Sequence, residues 1–307
     1  MDSKKARKSI EYFFSWLGLT CGSFIVRFIP YRYLYGFAHN FASAGYRLAK
    51  KQRKIALESL FIAFGREKTP EERTRIAREC FISMAKSGLE LIYLMERPAL
   101  LKQRVYLEGK ENLDGALRKG KGVILVSAHL GNFPLMLAKL SLEGYKVGGI
   151  MRPMRNQLVE KVFNEKRVKL NIKTIYSIPR NTCVYNSISS LRDNELLFIP
   201  LDQNFGTGGV FVDFFGRKAA TATGPVVLAR RTGAAILPCF IIRQKDDTHR
   251  VIFEQPLLLE EKETEQASIV HNIQKITAII ESYIRCVPQE WGWIHRRWKS
   301  TVKQEPG

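Results

Sequence analysis

Histidine and cysteine are both scarce in this 307-residue chain, at 5 residues each, and neither clusters. Cys21, Cys80, Cys183, Cys239 and Cys286 are odd in number, widely scattered and form no C-x-x-C, which argues against a disulfide framework or a zinc site. The histidines are equally dispersed, so no metal centre of clustered ligands is expected. No P-loop, no G-x-G-x-x-G and no G-x-S-x-G occurs, so ATP, NAD and serine-hydrolase chemistry lose support. Internal repeats, low-complexity tracts and Gly, Ser or Pro-rich linkers are also missing, which leaves one catalytic-size domain with an appendage.

Acidic residues are few as well. The 29 Asp+Glu face 49 Lys+Arg, a net charge of +20 at pH 7, and such an excess attracts something anionic. Nucleic acid, an anionic membrane surface, a phosphorylated substrate and an acidic carrier protein all qualify. With 45% hydrophobic and 25% charged residues the chain is folded around a sizeable core, and disorder over most of its length is excluded.

Near the N-terminus Lys4, Lys5, Arg7 and Lys8 precede an uncharged apolar run from Tyr12 to Val26, which ends at Arg27. It is shorter than the roughly 20 residues a perpendicular span needs, and no small-x-small cleavage site follows it. Phe28, Tyr31, Tyr33, Tyr35 and Phe37, interleaved with Arg27 and Arg32, suit a segment at headgroup level. An interfacial or steeply tilted membrane helix is the expectation, in an N-terminal segment 1–40 ahead of a domain over 41–307. A buried helix packed closely at Gly18 and Gly22 is the alternative.

Helices fill most of the first hundred residues: Leu57, Leu60, Phe61 and Phe64 repeat at helical spacing, and Thr69-Pro70-Glu71-Glu72 supplies a capping box with Pro at the first helical position. Beyond Pro98, short apolar runs at Val105–Leu107, Gly122–Ser127, Lys146–Met151, Lys173–Ile178 and Leu196–Leu201 alternate with helical segments such as Gln157–Leu170 and Val184–Asp193. That alternation predicts an α/β fold on a mainly parallel sheet. Val210–Phe215, and the pair Ala235–Arg243 and Arg250–Phe253, read as antiparallel additions. Ile269, Ile273, Ile276, Ile280, Ile284 and Val287 mark a final core-facing helix.

The chemistry is concentrated in Gly122 to Pro134, where an apolar strand delivers His129 into a Gly-containing turn ahead of a helix. Ligands of α/β sheets bind beyond the carboxyl ends of strands, and an imidazole there can take a proton from a hydroxyl near neutral pH. A lone histidine after a strand can equally be structural.

His129-Leu130-Gly131-Asn132 resembles the first block of the late acyltransferases of lipid A biosynthesis, the lauroyl/myristoyl transferase family. Met151-Arg152-Pro153-Met154-Arg155-Asn156 is similar to that family's Arg-Pro-x-x-Asn segment, and Asp202-Gln203 with Gly209 to Gly216 to its Asp-Gln and Phe-Phe-Gly blocks. Thr232-Gly233-Ala234 with Pro238, and Trp291-Gly292-Trp293-Ile294-His295-Arg296-Arg297-Trp298-Lys299, follow in the same order. The resemblance covers roughly residue 105 to the end. It departs at one point, since the family's first block is His-x-x-x-x-Asp/Glu and Pro134 stands where the acid belongs. A carboxylate from elsewhere, Asp202 first and Glu195 second, a backbone carbonyl or water, or the loss of catalysis would each account for this.

The resemblance implies a glycerolipid-acyltransferase-like fold with a membrane-associated helical extension. It implies a membrane-associated O-acyltransferase, moving a fatty acyl chain from an acyl thioester to a hydroxyl of a lipid A precursor, with an apolar groove for the chain. His129, Arg152 and Asp202 would be catalytic, with Arg152 stabilising the oxyanion; Asn132, Arg155, Asn156, Gln203, Arg296 and Arg297 would bind substrate. No metal or cofactor is called for, with acyl carrier protein or coenzyme A carrying the acyl chain as co-substrate. The partners implied are acyl carrier protein, an anionic glycolipid or phospholipid acceptor and the membrane surface, without nucleic acid. The place implied is the cytoplasmic side of a bacterial inner membrane. The alternatives are an acyltransferase for another glycolipid or a lysophospholipid, and a lipid-binding homologue impaired in catalysis.

Overall fold

The structure, a computed structural model, describes residues 3–300. Residues 1–2 and 301–307, the outer ends of the two expected segments, lie outside the described residues.

Five helices lead: α1 (Ser3–Phe28), α2 (Tyr31–Leu48), α3 (Lys50–Phe64), α4 (Pro70–Leu94) and α5 (Pro98–Arg104). The Thr69 hydroxyl accepts the Glu72 N–H at the start of α4 while the Glu72 carboxylate accepts the Thr69 N–H, the reciprocal bonds expected of a capping box. In α1 the stretch Arg7–Phe28 has 22 residues and is long and apolar enough to cross a membrane, and 6% of its most apolar window is buried. It is longer than the run read from sequence, because Arg7, Lys8 and Glu11 join the same helix. A side chain added at Gly18 or Gly22 would meet nothing within 4 Å, so these glycines serve no close packing in the described structure. The boundary expected after residue 40 falls inside α2, whose Leu34, Ala38 and Ala42 are buried and which packs on α4.

The remainder runs β1 (Val105–Glu108), α6 (Lys110–Leu117), β2 (Val123–Ser127), α7 (Phe133–Leu142), β3 (Val147–Met151), α8 (Gln157–Lys169), β4 (Ile172–Tyr176), α9 (Arg180–Arg192), β5 (Leu196–Pro200), β6 (Val210–Phe214), β7 (Arg217–Thr221), α10 (Gly224–Thr232), β8 (Ala235–Arg243), β9 (His249–Phe253) and α11 (Glu265–Cys286). A 7-stranded sheet has the order β1-β9-β8-β2-β5-β3-β4. Neighbours from β8 to β4 pair in parallel, β9 runs antiparallel to β8, and β1 is parallel to β9. The fold is therefore a mainly parallel sheet with antiparallel additions, flanked by helices.

Three strand assignments differ from expectation. Ala235–Arg243 is no antiparallel addition, since β8 pairs in parallel with β2 and only β9 runs against it. Val105–Leu107 reads like the parallel strands that follow it, yet β1 lies at the far edge and points the opposite way, since it pairs with β9 rather than β2. Val210–Phe215 does not join the sheet; β6 forms its own 2-stranded hairpin with β7, through a turn in which Phe215 and Gly216 both have positive φ. The pairing of β1 with β9, about 145 residues on, is non-local and leaves no trace in a short apolar run.

Strand β2 is buried along its whole length, and its alternate side chains enter different layers. Ile124 and Val126 join the isoleucine stripe of α11, Phe214, Trp291 and Trp293, whereas Val123 and Leu125 join Leu135 to Leu140 of α7 and Leu113 of α6. This central strand is the rigid stem from which the site projects.

Candidate active site

Strands β2 and β5 are paired with Ser127 opposite Pro200, and the Leu201 N–H donates to the Ser127 carbonyl at 2.9 Å. Residues at equal distances beyond this pair arrive side by side. His129 and Asp202 are such residues: His129 Nδ1 lies 2.8 Å from Asp202 Oδ1. The other carboxylate oxygen, Oδ2, accepts the indole N–H of Trp291 at 2.7 Å. Asp202 is 2% exposed while the His129 side chain is 32% exposed, so the acid is sealed and the imidazole reaches the surface.

Burial opposes ionisation of Asp202, but the charge and hydrogen bond of His129, the Trp291 N–H and the His129 backbone N–H outweigh it and hold the carboxyl at about 2. Burial likewise lowers the His129 pKa, yet the Asp202 charge and hydrogen bond bring it out above the ordinary histidine value. An ionised carboxylate only accepts, so the Nδ1 proton points to Asp202 and Nε2 keeps its lone pair. The arrangement is that of a general base with an orienting acid.

The surroundings restrain the ring. Phe133 meets His129 edge to face at 5.1 Å between ring centres, and Phe133 stacks on Phe198 of β5 at 5.6 Å. Pro134 lies in the first turn of α7, where its missing N–H costs no helical bond. The carboxylate on His129 comes from the neighbouring strand instead. Glu195, the second candidate, precedes β5 and pairs with Lys173.

The other expected site residues divide. Arg152 follows β3 and is exposed, with no hydrogen bond or ion pair to another described residue; Arg155, Gln203 and Arg296 are exposed too. Asn132 is a correction. It is fully buried, and its amide donates to the Ser87 carbonyl at 3.1 Å and to Glu90 at 2.9 Å. Asn156 caps α8 through its carbonyl oxygen and donates to the Tyr12 carbonyl at 2.9 Å, tying α1 to the sheet domain. Arg297 is the second correction, since it is wholly buried and clamps the Gln203 and Ala220 carbonyls and the Thr221 hydroxyl. Its guanidinium is spent on the loop after β5 and on β7, and burial lowers it to about 10. The Arg-Arg pair thus splits, with one side chain facing solvent and its neighbour facing the core.

Three groups were missed. Trp291 stood out in the sequence only as part of an aromatic run. His295 accepts the Asn204 N–H at 3.0 Å two residues beyond Asp202, and its pKa is lowered chiefly by burial. Glu90 is a buried acid bonded to Arg243, His249, Tyr35 and Asn132, and its place among apolar residues of α4 was the available signal. Among the described residues no group of three or more His, Cys, Asp or Glu is placed to hold a metal ion.

Residues 1–300 match the family model of the bacterial lipid A biosynthesis acyltransferases. The lipid A biosynthesis palmitoleoyltransferase of Escherichia coli (strain K12) is 28% identical over 301 residues, covering 94% of this chain and 92% of that protein. The lipid A biosynthesis lauroyltransferase of the same organism is 25% identical over 307 residues, covering 96% and 94%. A phosphatidylinositol mannoside acyltransferase of Mycobacterium tuberculosis (strain ATCC 25618 / H37Rv) is 28% identical over 131 residues, 42% of each chain.

Proposed function

Since the chain belongs to the bacterial lipid A biosynthesis acyltransferase family and is an acyltransferase, we propose that it moves a fatty acyl chain from an acyl thioester to a hydroxyl of a lipid A precursor. The observation that carries this reading is the 2.8 Å contact between His129 Nδ1 and the buried Asp202 carboxylate. His129 Nε2 takes the acceptor hydroxyl proton as the oxygen attacks the thioester carbonyl. Asp202 stabilises the imidazolium that forms, and the proton then passes to the departing thiolate. Arg152, exposed beyond the neighbouring strand β3, or backbone N–H groups stabilise the tetrahedral oxyanion. No metal or redox cofactor takes part, and acyl carrier protein or coenzyme A enters as the acyl carrier.

The charge of +20 supports an acidic carrier protein and an anionic acceptor as partners. Membrane association is supported by α1 and α2, which expose Phe13, Phe14, Phe24, Ile25 and Phe28, and Tyr33, Phe37 and Phe41. A thioester donor made in the cytoplasm puts the catalytic domain on the cytoplasmic face of the inner membrane.

The test is transfer of labelled acyl chain from acyl carrier protein to a lipid A precursor in mixed micelles, for the parent, His129→Ala and Asp202→Asn. Turnover in the parent that disappears with His129→Ala is expected. Turnover that survives that change sinks the mechanism.

A further inference from the structure

The closing segment Glu290-Trp291 touches Asp202 and the turn that carries His129. The Gly131 N–H, in the turn that carries His129, donates to the Glu290 carbonyl at 3.0 Å, and Leu130 and Trp291 form an antiparallel bridge. Gly131 has a φ of 58°, and a Cβ there would stand 2.2 Å from the Ile241 carbonyl oxygen and 3.1 Å from Glu290 Oε2. The turn therefore lies directly on this segment and on β8. Glu290 is itself fixed by the Arg243 N–H, at 3.1 Å to one of its oxygens and 3.2 Å to the other. On the far side of the dyad the Trp291 indole N–H reaches Asp202 Oδ2.

A short carboxylate on a loop can rotate about χ2, and only an orientation that presents Oδ1 to His129 fixes the imidazole tautomer. Asp202 is too buried for water to supply the second donor, and Trp291 is only 1% exposed. The indole is locked by Trp293 at 4.5 Å between ring centres and by Phe214 at 5.7 Å, and its own carbonyl accepts the Cys80 thiol at 3.1 Å.

We infer that Trp291 is a positioning residue, whose indole N–H holds the Asp202 carboxylate against His129 while its backbone bridge, with that of Glu290, sets where His129 stands. The inference rests on the reaction proposed above. His295 and Arg297, of the same closing segment, also act electrostatically on the pair.

The experiment compares the full chain with Trp291→Phe and with a form carrying 3-benzothienylalanine at that position, which keeps the indole shape and lacks the N–H. Turnover is measured against pH in mixed micelles, and the His129 imidazole is titrated by NMR, its signal assigned by its loss in His129→Ala. Both variants are expected to lose about tenfold or more in kcat, the size of one hydrogen bond to a charged group, with KM for either substrate unchanged. Oδ2 without a donor leans harder on the His129 proton, so the NMR titration and the acid limb of kcat move to higher pH. Parental kcat and an unmoved His129 titration in the benzothienyl form would reduce Trp291 to packing and overturn the inference. Activity that persists in His129→Ala would instead remove the proposed reaction, and the NMR titration would still decide the role of Trp291.

Discussion

Among the described residues two histidines meet a buried carboxylate, while a third pair, His271 with Glu260, lies at the surface, and the two buried acids differ in what surrounds the imidazole they hold. His249, at the start of β9, meets both oxygens of Glu90 at 3.1 Å, and neither side chain is exposed at all. Arg243, Tyr35 and Asn132 complete the shell of Glu90, whose carboxyl stays well below the ordinary range because the hydrogen bonds and charges of His249 and Arg243 outweigh its burial. His129 and Asp202 share the same chemistry, but one face of the imidazole is open. The comparison teaches that a buried acid on a histidine is closed to any ligand when every donor is enclosed, whereas a distal nitrogen left open is free to take part in the proposed proton transfer.

Exchanging the damage is the strongest way to break that comparison. His129→Ala is expected to cost about a hundredfold to ten-thousandfold in acyl transfer, with a thermal midpoint close to the parent. Glu90→Gln is expected to do the reverse in kind, losing about 3 kcal/mol of stability in urea unfolding because the buried Arg243 loses the closer of its two carboxylates, Asp247 standing at 3.4 Å. A Glu90→Gln protein as stable as the parent would show that the enclosed pair carries no structural load.

A sharper contrast comes from pH. The proposed base works as neutral imidazole, so kcat should rise with pH through a His129 pKa that lies above the ordinary histidine value. Asp202→Asn removes the charge that raises it, so the acid limb of any residual activity should move to lower pH. An acid limb that stays in place would separate Asp202 from the titrating base.

The smallest expected effect concerns Glu290, which neighbours both pairs. Burial, with Glu90 and Asp247 nearby, pushes its carboxyl up to about 7 against the pull of Arg243. A raised folded-state pKa means that its stabilisation is complete below the ordinary glutamate value and is lost as pH rises through about 7. Glu290→Gln should therefore be more stable relative to the parent at pH 8 than at pH 5, by about 1 to 2 kcal/mol. An equal midpoint difference at both pH values would place the titration elsewhere.

Much of the scaffold was legible because it depends on neighbours in sequence. The Thr69 capping box, the isoleucine stripe of α11 and the apolar run that opens β2 are local patterns, and each forms where the sequence puts it. His129 was legible for the same reason, as a polar residue just past a buried strand. Asn132 and Arg297 were misread because a polar side chain near a site has the same letter whether it faces the cleft or the core. Their neighbours from α4, β7 and the loop after β5, distant in sequence, decide which.

What the sequence determined by itself was the set of elements, the excess of positive charge, the apolar N-terminal helix and the histidine at a strand's end. Tertiary structure alone decided the direction of β1, the partner of His129 and the role of Trp291. Each of these depends on contacts between residues far apart in the chain, which pairing register and core packing fix and no local period encodes.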